Sequence, residues 1–249
     1  MPRSQVLGYP VDVITFDDAL KAIQSQWHGE QSKNMQVVTI NAEMIMQAQE
    51  DKQLDHVIRE AELIVPDGAG VVMALKMDGV TCNRMPGIEL AQKALACAAS
   101  KNEPVALLGG RPEVMEKLLQ VLPQKHPGLN IVFQHHGFIQ AGTEEELVEQ
   151  ISKSKAKLLL VAMGVPRQEF FIKEWRSKLP SDLVVMGVGG SFDVWTGFVQ
   201  RAPESYQKLN LEWLYRLKSE PWRFKRMAST LPKFALQVIF KKIFGTGKA

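Results

Sequence analysis

Asp67 is the residue of this sequence whose type and setting best suit acid–base chemistry. It stands between Pro66 and Gly68, after an apolar segment that predicts a strand and before one that predicts a helix. A carboxylate in such a loop can exchange protons with a bound ligand. It can also close a turn or cap the following helix, and the residue taken alone favours this structural role.

Four further polar residues occupy similar loops, and each has a structural and a functional interpretation. Asn41 can cap the next predicted helix, and Thr39 can be an ordinary strand residue. Arg84 can bind a phosphate through two hydrogen bonds or pair with an acidic neighbour. Gln168 either points its amide into a cleft or belongs to an ordinary helix start. The residues alone leave these alternatives open.

Glycine-rich loops follow several predicted strands and are candidates for holding a phosphate-bearing ligand. Gly109 and Gly110 precede a helix that starts with proline, which suits a phosphate-binding turn or a simple bend. The sequence contains neither the dinucleotide pattern G-x-G-x-x-G nor the P-loop pattern G-x-x-x-x-G-K-[ST]. The other candidate positions in these loops are Gly137, Phe138, Gly164, Gly189, Gly190 and Asp193.

The segments that must position these residues alternate between short apolar strands and longer helices. Strands are predicted at 35–40, 62–66, 104–108, 130–133, 157–163 and 182–187. Helices are predicted at 43–60, 70–77, 88–100, 112–122, 144–154 and 167–178. The alternation predicts an α/β fold, a Rossmann-like and mostly parallel sheet flanked by helices. In such a sheet the loops after the strands share one edge, where ligands bind. Thr39, Asn41, Asp67, Gln168 and the glycine loops stand at the ends of predicted strands, so we expect them to meet at this edge.

Charge divides the chain into two parts. Residues 201–249 hold 11 Lys and Arg against 3 Asp and Glu, whereas residues 1–200 hold 19 against 24. The basic part contains a predicted amphipathic helix at 204–217 and, after Pro221, a segment of interleaved aromatic and cationic residues. These features suit an anionic membrane surface or nucleic acid, and a helix packed on the core with a solvated basic face is the structural alternative. We predict an α/β catalytic domain over 1–200 and a helical appendage over 201–249, here called the basic tail.

The N-terminus and the longest apolar run of the basic tail predict neither a secretory signal nor a membrane-spanning helix. Asp12 interrupts the early apolar segment, and no small-residue cleavage site follows it. The run at 234–240 is about 7 residues long, whereas a spanning helix needs roughly 20. We therefore expect a cytoplasmic protein.

Metal-binding patterns are missing from the sequence. Cys82 and Cys97 have no C-x-x-C spacing, which favours a reducing compartment. His135 and His136 are adjacent, so their side chains point apart and favour a structural role. No D-x-D pattern is present. We expect no bound metal and no cofactor.

Seven segments together give the sequence a specific resemblance, although none does so alone. They are TINAEMI, VPDGAGVV, RMPGIEL, LLGGRPEV, VAMGVPRQEFF, MGVGGSFDVWTGFVQRAP and LEWLYRLKSEPWRFKR. In this order they resemble the WecG/TagA/CpsF family, glycosyltransferase family 26, over nearly the entire chain. Members of that family move N-acetylmannosamine or its uronic acid from a UDP donor to polyprenyl-diphosphate-linked N-acetylglucosamine. The resemblance implies an inverting, metal-independent enzyme of cell-surface polysaccharide or teichoic acid synthesis, bound peripherally to the inner face of the plasma membrane.

The resemblance also implies roles for individual residues. Asp67 resembles the general base of the family. The positions that resemble pocket residues around the sugars and the diphosphate are Thr39, Asn41, Arg84 and Gln168. In the basic tail, the arginines that resemble those closing over the diphosphate are Arg216, Arg223 and Arg226. The loop 189–193 resembles part of the nucleotide site.

Two other classes of function stay open from the sequence. One is a nucleotide-dependent oxidoreductase on a related fold, against which the missing dinucleotide pattern counts. The other is a non-catalytic module that binds membrane or nucleic acid, against which the clustered polar loops count. We expect no nucleic-acid partner, and apolar surface together with the resemblance favours a homo-oligomer. The sequence does not choose between the two donor sugars.

Overall fold

Short apolar segments form the strands of this protein. The computed structural model describes residues 2–209, 212–219 and 223–244, without the side chains of 208, 216–219 and 223–226. The strands are β1 (Arg3–Val6), β2 (Tyr9–Asp12), β3 (Met35–Ile40), β4 (Leu63–Pro66), β5 (Pro104–Gly109), β6 (Asn130–His135), β7 (Leu158–Ala162) and β8 (Val184–Gly187). Every residue of β4, β7 and β8 is buried, as in parallel sheets covered on both faces.

Helices connect these strands and continue to the end of the described chain. They are α1 (Phe16–His28), α2 (Ala42–Glu50), α3 (Lys52–Glu60), α4 (Ala69–Met77), α5 (Gly87–Lys101), α6 (Pro112–Lys125), α7 (Glu144–Lys153), α8 (Arg167–Trp175), α9 (Ser191–Trp195), α10 (Glu204–Lys208), α11 (Glu212–Ser219) and α12 (Arg223–Phe244). A short 3-10 helix, Arg176–Lys178, follows α8.

Six strands form one sheet in the order β4-β3-β8-β7-β5-β6, and every neighbouring pair is parallel. The register places Val37 of β3 between Leu63 of β4 and Met186 of β8. The prediction of an α/β fold with a mostly parallel sheet is confirmed. Because all six strands point the same way, the loops that follow them open at one edge of the sheet.

Alternate side chains of the strands build a core on each face of the sheet. On one face, Val105 and Leu107 of β5 belong to a cluster with residues of α1, α5, α6 and α9. On the other face, Ala106 and Leu108 pack with α7 and α8, while β3 and β4 pack with α2, α4 and α12. The helices after the neighbouring strands β3 and β8 therefore lie on opposite faces, which leaves a crevice between the ends of these strands.

An antiparallel hairpin of β1 and β2 covers the outer edge of β4. Asp12 anchors it, since its carboxylate pairs with Arg3 at 2.7 Å and accepts from the backbone N–H of Ile64 at 2.7 Å. The sequence carries no clear signal for this hairpin or for α1, because their segments are short or mixed in polarity.

Two predicted helices are each divided in the structure. The helix predicted at 43–60 is wrong as a single unit, because Asp51 adopts an extended backbone that ends α2 and begins α3. Its carboxylate accepts from the N–H groups of Gln53 and Leu54, which satisfies the start of α3. The helix predicted at 204–217 is represented by α10 and α11, and Leu209 after α10 is a turn residue.

Candidate active site

The ends of β3 and β4 bring Asn41 and Asp67 together. The backbone N–H of Asp67 donates to the carbonyl of Ile40 at 3.0 Å, so the residue after β4 lies beside the end of β3. A Cβ atom on Gly68 would come within 2.9 Å of Asn41 Cβ, so this approach requires glycine. Asn41 and Asp67 are both partly buried. The two side chains therefore stand on adjoining walls of one recess.

The segment before α5 forms a third wall of this recess. The backbone N–H of Met85 donates to the carbonyl of Pro66 at 2.7 Å. Because Arg84 precedes Met85 and Asp67 follows Pro66, the backbones of Arg84 and Asp67 lie close together. Gly87, at the start of α5, faces Thr39, where an added Cβ would lie 2.8 Å from the threonine hydroxyl oxygen. Three places, the end of β3, the end of β4 and the segment before α5, thus bring together four residues that the sequence predicts as site residues: Thr39, Asn41, Asp67 and Arg84.

The structural interpretations of Asn41 and Asp67 have different outcomes. Asn41 is the N-cap of α2, and its Oδ1 accepts from the N–H of Met44 at 3.0 Å. Its Nδ2 has no hydrogen-bond partner within the ranges that the structure describes, so capping still leaves a donor. The N-cap of α4 is Gly68 and not Asp67, so Asp67 does not occupy the capping position.

Gln168, the second residue of α8, packs against the end of β8, the strand next to β3. It is buried, its Oε1 accepts from the backbone N–H of Gly189 at 3.0 Å, and its Nε2 donates to Glu169 Oε1 at 2.8 Å. The amide is fixed between two partners and joins the loop after β7 to the loop after β8. Gln168 therefore borders the crevice between β3 and β8 from the β8 side.

The predicted phosphate-binding glycines lie at the ends of β5, β6, β7 and β8, and those after β8 are Gly189 and Gly190. Gly109 has φ of 122°, and a Cβ there would collide with the carbonyl of Ala162 in β7. Gly110 also has positive φ, 71°, and its carbonyl accepts from the N–H of Gly137 at 2.7 Å. Gly164 follows β7 on the same edge. The backbones of Gly109, Gly110 and Gly137 thus approach each other closely, and Gly110 leads through Arg111 into α6, whose first residue is Pro112.

Arg111 joins the glycine loops to α9 and the residues that follow it. Its guanidinium lies 3.5 Å from the Asp193 carboxylate and 5.5 Å from the centre of the Phe198 ring. Phe138, in the loop after β6, is 64% exposed, and its ring meets His136 edge to face. This half of the edge thus presents a cation and exposed aromatic surface. The sequence analysis gave Arg111 no role of its own.

The basic tail is attached to the site by a chain of ion pairs. Glu212 of α11 lies 2.7 Å from Arg84 Nη1 and 3.3 Å from Arg201 Nε. Arg201 in turn pairs with Glu89 of α5 at 2.5 Å. Of the two sequence interpretations of Arg84, pairing with an acidic residue is the one that the structure contains. Its partner is distant in sequence rather than a neighbour.

A comparison with known protein families decides the class of this protein. The family model described as Glycosyl transferase WecG/TagA/CpsF family matches residues 4–248. The chain belongs to the WecG/TagA/CpsF glycosyltransferase family. It is therefore a transferase of a family that acts in cell-surface polysaccharide synthesis, and the family points to a nucleotide-sugar donor and a lipid-linked acceptor.

The three predicted arginines of the basic tail cannot be located relative to the recess. Arg216, Arg223 and Arg226 belong to α11 and α12, but their side chains lie outside the described residues. No group of three or more His, Cys, Asp or Glu residues is arranged to hold a metal ion in the described ranges. Among the same residues, no helix is both long and apolar enough to span a bilayer.

In this WecG/TagA/CpsF member, the ion-pairing residues Glu212, Arg201 and Glu89 could not be predicted from the sequence, because no local pattern marks an ion pair between distant segments. Glu212 does carry one signal, since it is one of only three acidic residues in the basic tail. An acidic residue in a strongly cationic segment is expected to pair with a cation, and Glu212 pairs with two. Glu169 was also given no role, although it follows Gln168 directly.

Proposed function

We propose that the protein transfers N-acetylmannosamine or its uronic acid from a UDP-sugar to a polyprenyl-diphosphate-linked N-acetylglucosamine. The observation that carries this proposal is the recess at the ends of β3 and β4, where Asp67 stands beside Asn41 and the Arg84 segment. A carboxylate and a side-chain amide in one recess, with an arginine on the adjoining segment, suit proton removal next to a phosphate-bearing substrate.

Asp67 is proposed as the general base. The acceptor hydroxyl oxygen attacks the anomeric carbon of the donor sugar, and its proton passes to the Asp67 carboxylate. At the same time the bond from the anomeric carbon to the β-phosphate oxygen breaks, and UDP leaves with the electron pair. Because attack and departure occur on opposite sides of that carbon, the product has inverted configuration. Thr39, Asn41 and Gln168 are proposed to hold the sugars.

The leaving diphosphate gains negative charge, which the site must stabilise. We propose that the glycine loops hold the nucleotide, with backbone amides near the start of α6 facing the phosphates. The proposed nucleotide-binding positions are Gly109, Gly110, Gly137, Phe138, Gly164, Gly189, Gly190 and Asp193. From the family resemblance, the cations proposed to face the diphosphate are Arg84, Arg216, Arg223 and Arg226.

The basic tail is proposed to bring the enzyme to its lipid-linked acceptor at the inner membrane surface. One side of α12 packs on α2, where Phe234 and Val238 are buried. Its other side exposes an apolar stripe at helical spacing, formed by Leu236, Ile239, Phe240, Ile243 and Phe244. Lys233, Lys241 and Lys242 are exposed on the same helix. An exposed apolar stripe with lysines suits the surface of an anionic bilayer.

The division into a catalytic domain, residues 1–200, and a membrane-associating basic tail, residues 201–249, remains part of this proposal. The ion pairs of Glu212 and the packing of α12 support a tail that is docked on the catalytic part. We propose further that docking at the membrane gates catalysis, because the tail carries the arginines assigned to the diphosphate.

Mass spectrometry of reaction products tests the proposed function directly. The full chain is incubated with UDP-N-acetylmannosamine, its uronic acid or UDP-N-acetylglucosamine, together with a short-chain lipid-diphosphate acceptor. We expect one N-acetylmannosamine-type sugar to be added to the acceptor, with release of UDP. Transfer of no sugar while anionic vesicles are present would reject the proposal.

A further inference from the structure

Glu169 is a buried acidic residue that the proposed reaction does not use. It is the third residue of α8 and is 3% exposed. Its Oε1 accepts from Gln168 Nε2 at 2.8 Å, whereas its Oε2 has no hydrogen-bond partner among the described atoms. A buried carboxyl oxygen without a partner destabilises the fold. An apolar side chain of similar size would suit the packing better, so stability alone does not explain this residue.

The hydrogen bonds around Gln168 show what Glu169 contributes. A glutamine amide carries an acceptor and a donor at nearly identical positions, and only its partners decide which way it faces. Here the backbone N–H of Gly189 can only donate, so it selects Oε1 of Gln168. The Glu169 carboxyl accepts from Nε2 on the other side. Without that acceptor, only one of the two partners would hold the amide.

Gly187 keeps the two side chains in this arrangement. A Cβ at position 187 would collide with Gln168 Nε2 and would lie 3.1 Å from Glu169 Oε1. The end of β8 thus packs directly against the Gln168–Glu169 pair. The pair in turn holds the Gly189 amide, at the start of the loop that leads into α9.

We propose that Glu169 is a positioning residue that orients the Gln168 amide and, through it, the backbone of loop 188–190. The part of this proposal that concerns the substrate rests on the proposed function, in which Gln168 and this loop contact the donor. The reacting groups do not include Glu169. Its contribution is to present the remaining Nε2 hydrogen of Gln168 and the loop amides in a single arrangement.

The electrostatic setting of Glu169 supports this role. Burial raises the pKa of its carboxyl to about 7, while the hydrogen bonds from Gln168 and from its own backbone N–H oppose the rise. The carboxyl is therefore neutral in about half of the molecules at pH 7 and in most of them about one pH unit lower. A neutral carboxyl can orient an amide without placing a full negative charge beside a loop assigned to a diphosphate.

Substitutions at position 169 separate positioning from packing. Glu169→Leu removes the acceptor but keeps the apolar volume, and Glu169→Gln keeps a carbonyl that can accept from Gln168. We expect Glu169→Leu to lower kcat about 10- to 100-fold, with an unchanged or raised Tm. Glu169→Gln should recover most of that loss. The matched control is Glu174→Leu on the exposed side of the same helix, which should leave kcat unchanged.

A double-mutant comparison tests whether Glu169 acts through Gln168. In a Gln168→Ala background, Glu169→Leu should cause less than about a twofold further loss of kcat, because the side chain it orients is gone. A residue that acts through packing alone would lower kcat and Tm together and would lower them in both backgrounds. Either additive losses or a parallel fall in Tm would overturn the proposal.

Hydrogen exchange at the Gly189 amide gives a readout that does not need activity. In the full chain, Glu169→Leu and Gln168→Ala should both speed exchange at Gly189 by about tenfold or more, and Glu169→Gln should not. If the wild-type chain transfers no sugar but this pattern appears, the proposed function fails while the positioning role stands. Unchanged exchange in Glu169→Leu would overturn the positioning role itself.

Discussion

Glu212 Oε2 lies 2.7 Å from Arg84 Nη1, and both side chains are largely buried, at 13% and 15% exposure. This pair joins the basic tail to the recess that holds Asp67, across more than a hundred positions of sequence. Arg84 therefore has an anionic partner within the protein itself. A substrate phosphate would have to share Arg84 with Glu212 or displace it.

Substitution of Glu212 should loosen the docking of α11. Glu212→Gln keeps the size of the side chain but removes the charge that Arg84 and Arg201 share. Breaking a largely buried pair costs on the order of 1–3 kcal/mol. We expect amide exchange in α11 to rise at least about tenfold, measured by mass spectrometry. Glu116→Gln, on an exposed face of α6, is the control, and equal protection of α11 in both variants would contradict the assignment.

Asp67→Asn should separate binding from chemistry. The amide cannot accept the proton of the acceptor hydroxyl, so kcat should fall about 10²- to 10⁴-fold. UDP affinity, measured by calorimetry, should change by less than about threefold, because the proposed nucleotide loops lie at other strands. A rate close to that of the wild type would remove Asp67 from the role of general base.

The exposed stripe of α12 should determine membrane affinity. Phe240 is 64% exposed, so Phe240→Ser removes apolar surface from the stripe with little effect on the core. We expect binding to vesicles rich in phosphatidylglycerol to weaken about tenfold, measured by co-sedimentation. Val132→Ser, at an exposed position of β6, is the matched control.

Sedimentation velocity of the Phe240→Ser variant distinguishes the membrane from a second copy of the chain. If the stripe is the contact between two copies, the substitution should shift the protein toward a monomer without changing its vesicle binding. That result would move the predicted homo-oligomer to this surface and would contradict membrane docking through α12.

The buried carboxyl of Glu169 should make stability depend on pH. The pKa of this carboxyl is about 7 in the folded protein and near 4.5 in the unfolded chain, so the folded state binds the proton more tightly. Stability from this group is therefore fully present below pH 4.5 and is lost as pH rises to 7. The wild type should therefore lose roughly 3 kcal/mol of unfolding free energy between pH 4.5 and pH 8 that Glu169→Gln, which does not titrate, keeps. A pH-independent difference in urea denaturation would contradict the burial of a titrating carboxyl.

The sequence predicted the sheet well because its strands carry strong local signals. Buried strands such as β7, with five apolar residues in a row, are distinct from the amphipathic helices around them. The position of the polar loops followed from parallel strands alone, since these loops must open at one edge. Asp67 and Asn41 could therefore be grouped before their contacts were known, whereas Arg84, which follows no predicted strand, was joined to them only through the family resemblance.

The break at Asp51 and the partners of Arg84 could not be predicted in the same way. Apolar periodicity continues across Asp51, so only the capping geometry separates α2 from α3. The Arg84–Glu212 pair depends on how α11 returns to the sheet, and periodicity carries no information about such a return. Gln168 illustrates an intermediate case, because its loop was predicted while its two hydrogen-bond partners were not.

Helix α2 serves both the recess and the basic tail. Its N-cap, Asn41, faces Gly68, its first residue packs in the same cluster as Phe234, and its Gln49 exchanges hydrogen bonds with Gln237 at 2.8 and 3.0 Å. A tail transplanted from another member of the family would have to fit this helix. A chimaera whose tail does not fit α2 would therefore displace Asn41 and, with it, one wall of the recess that holds Asp67.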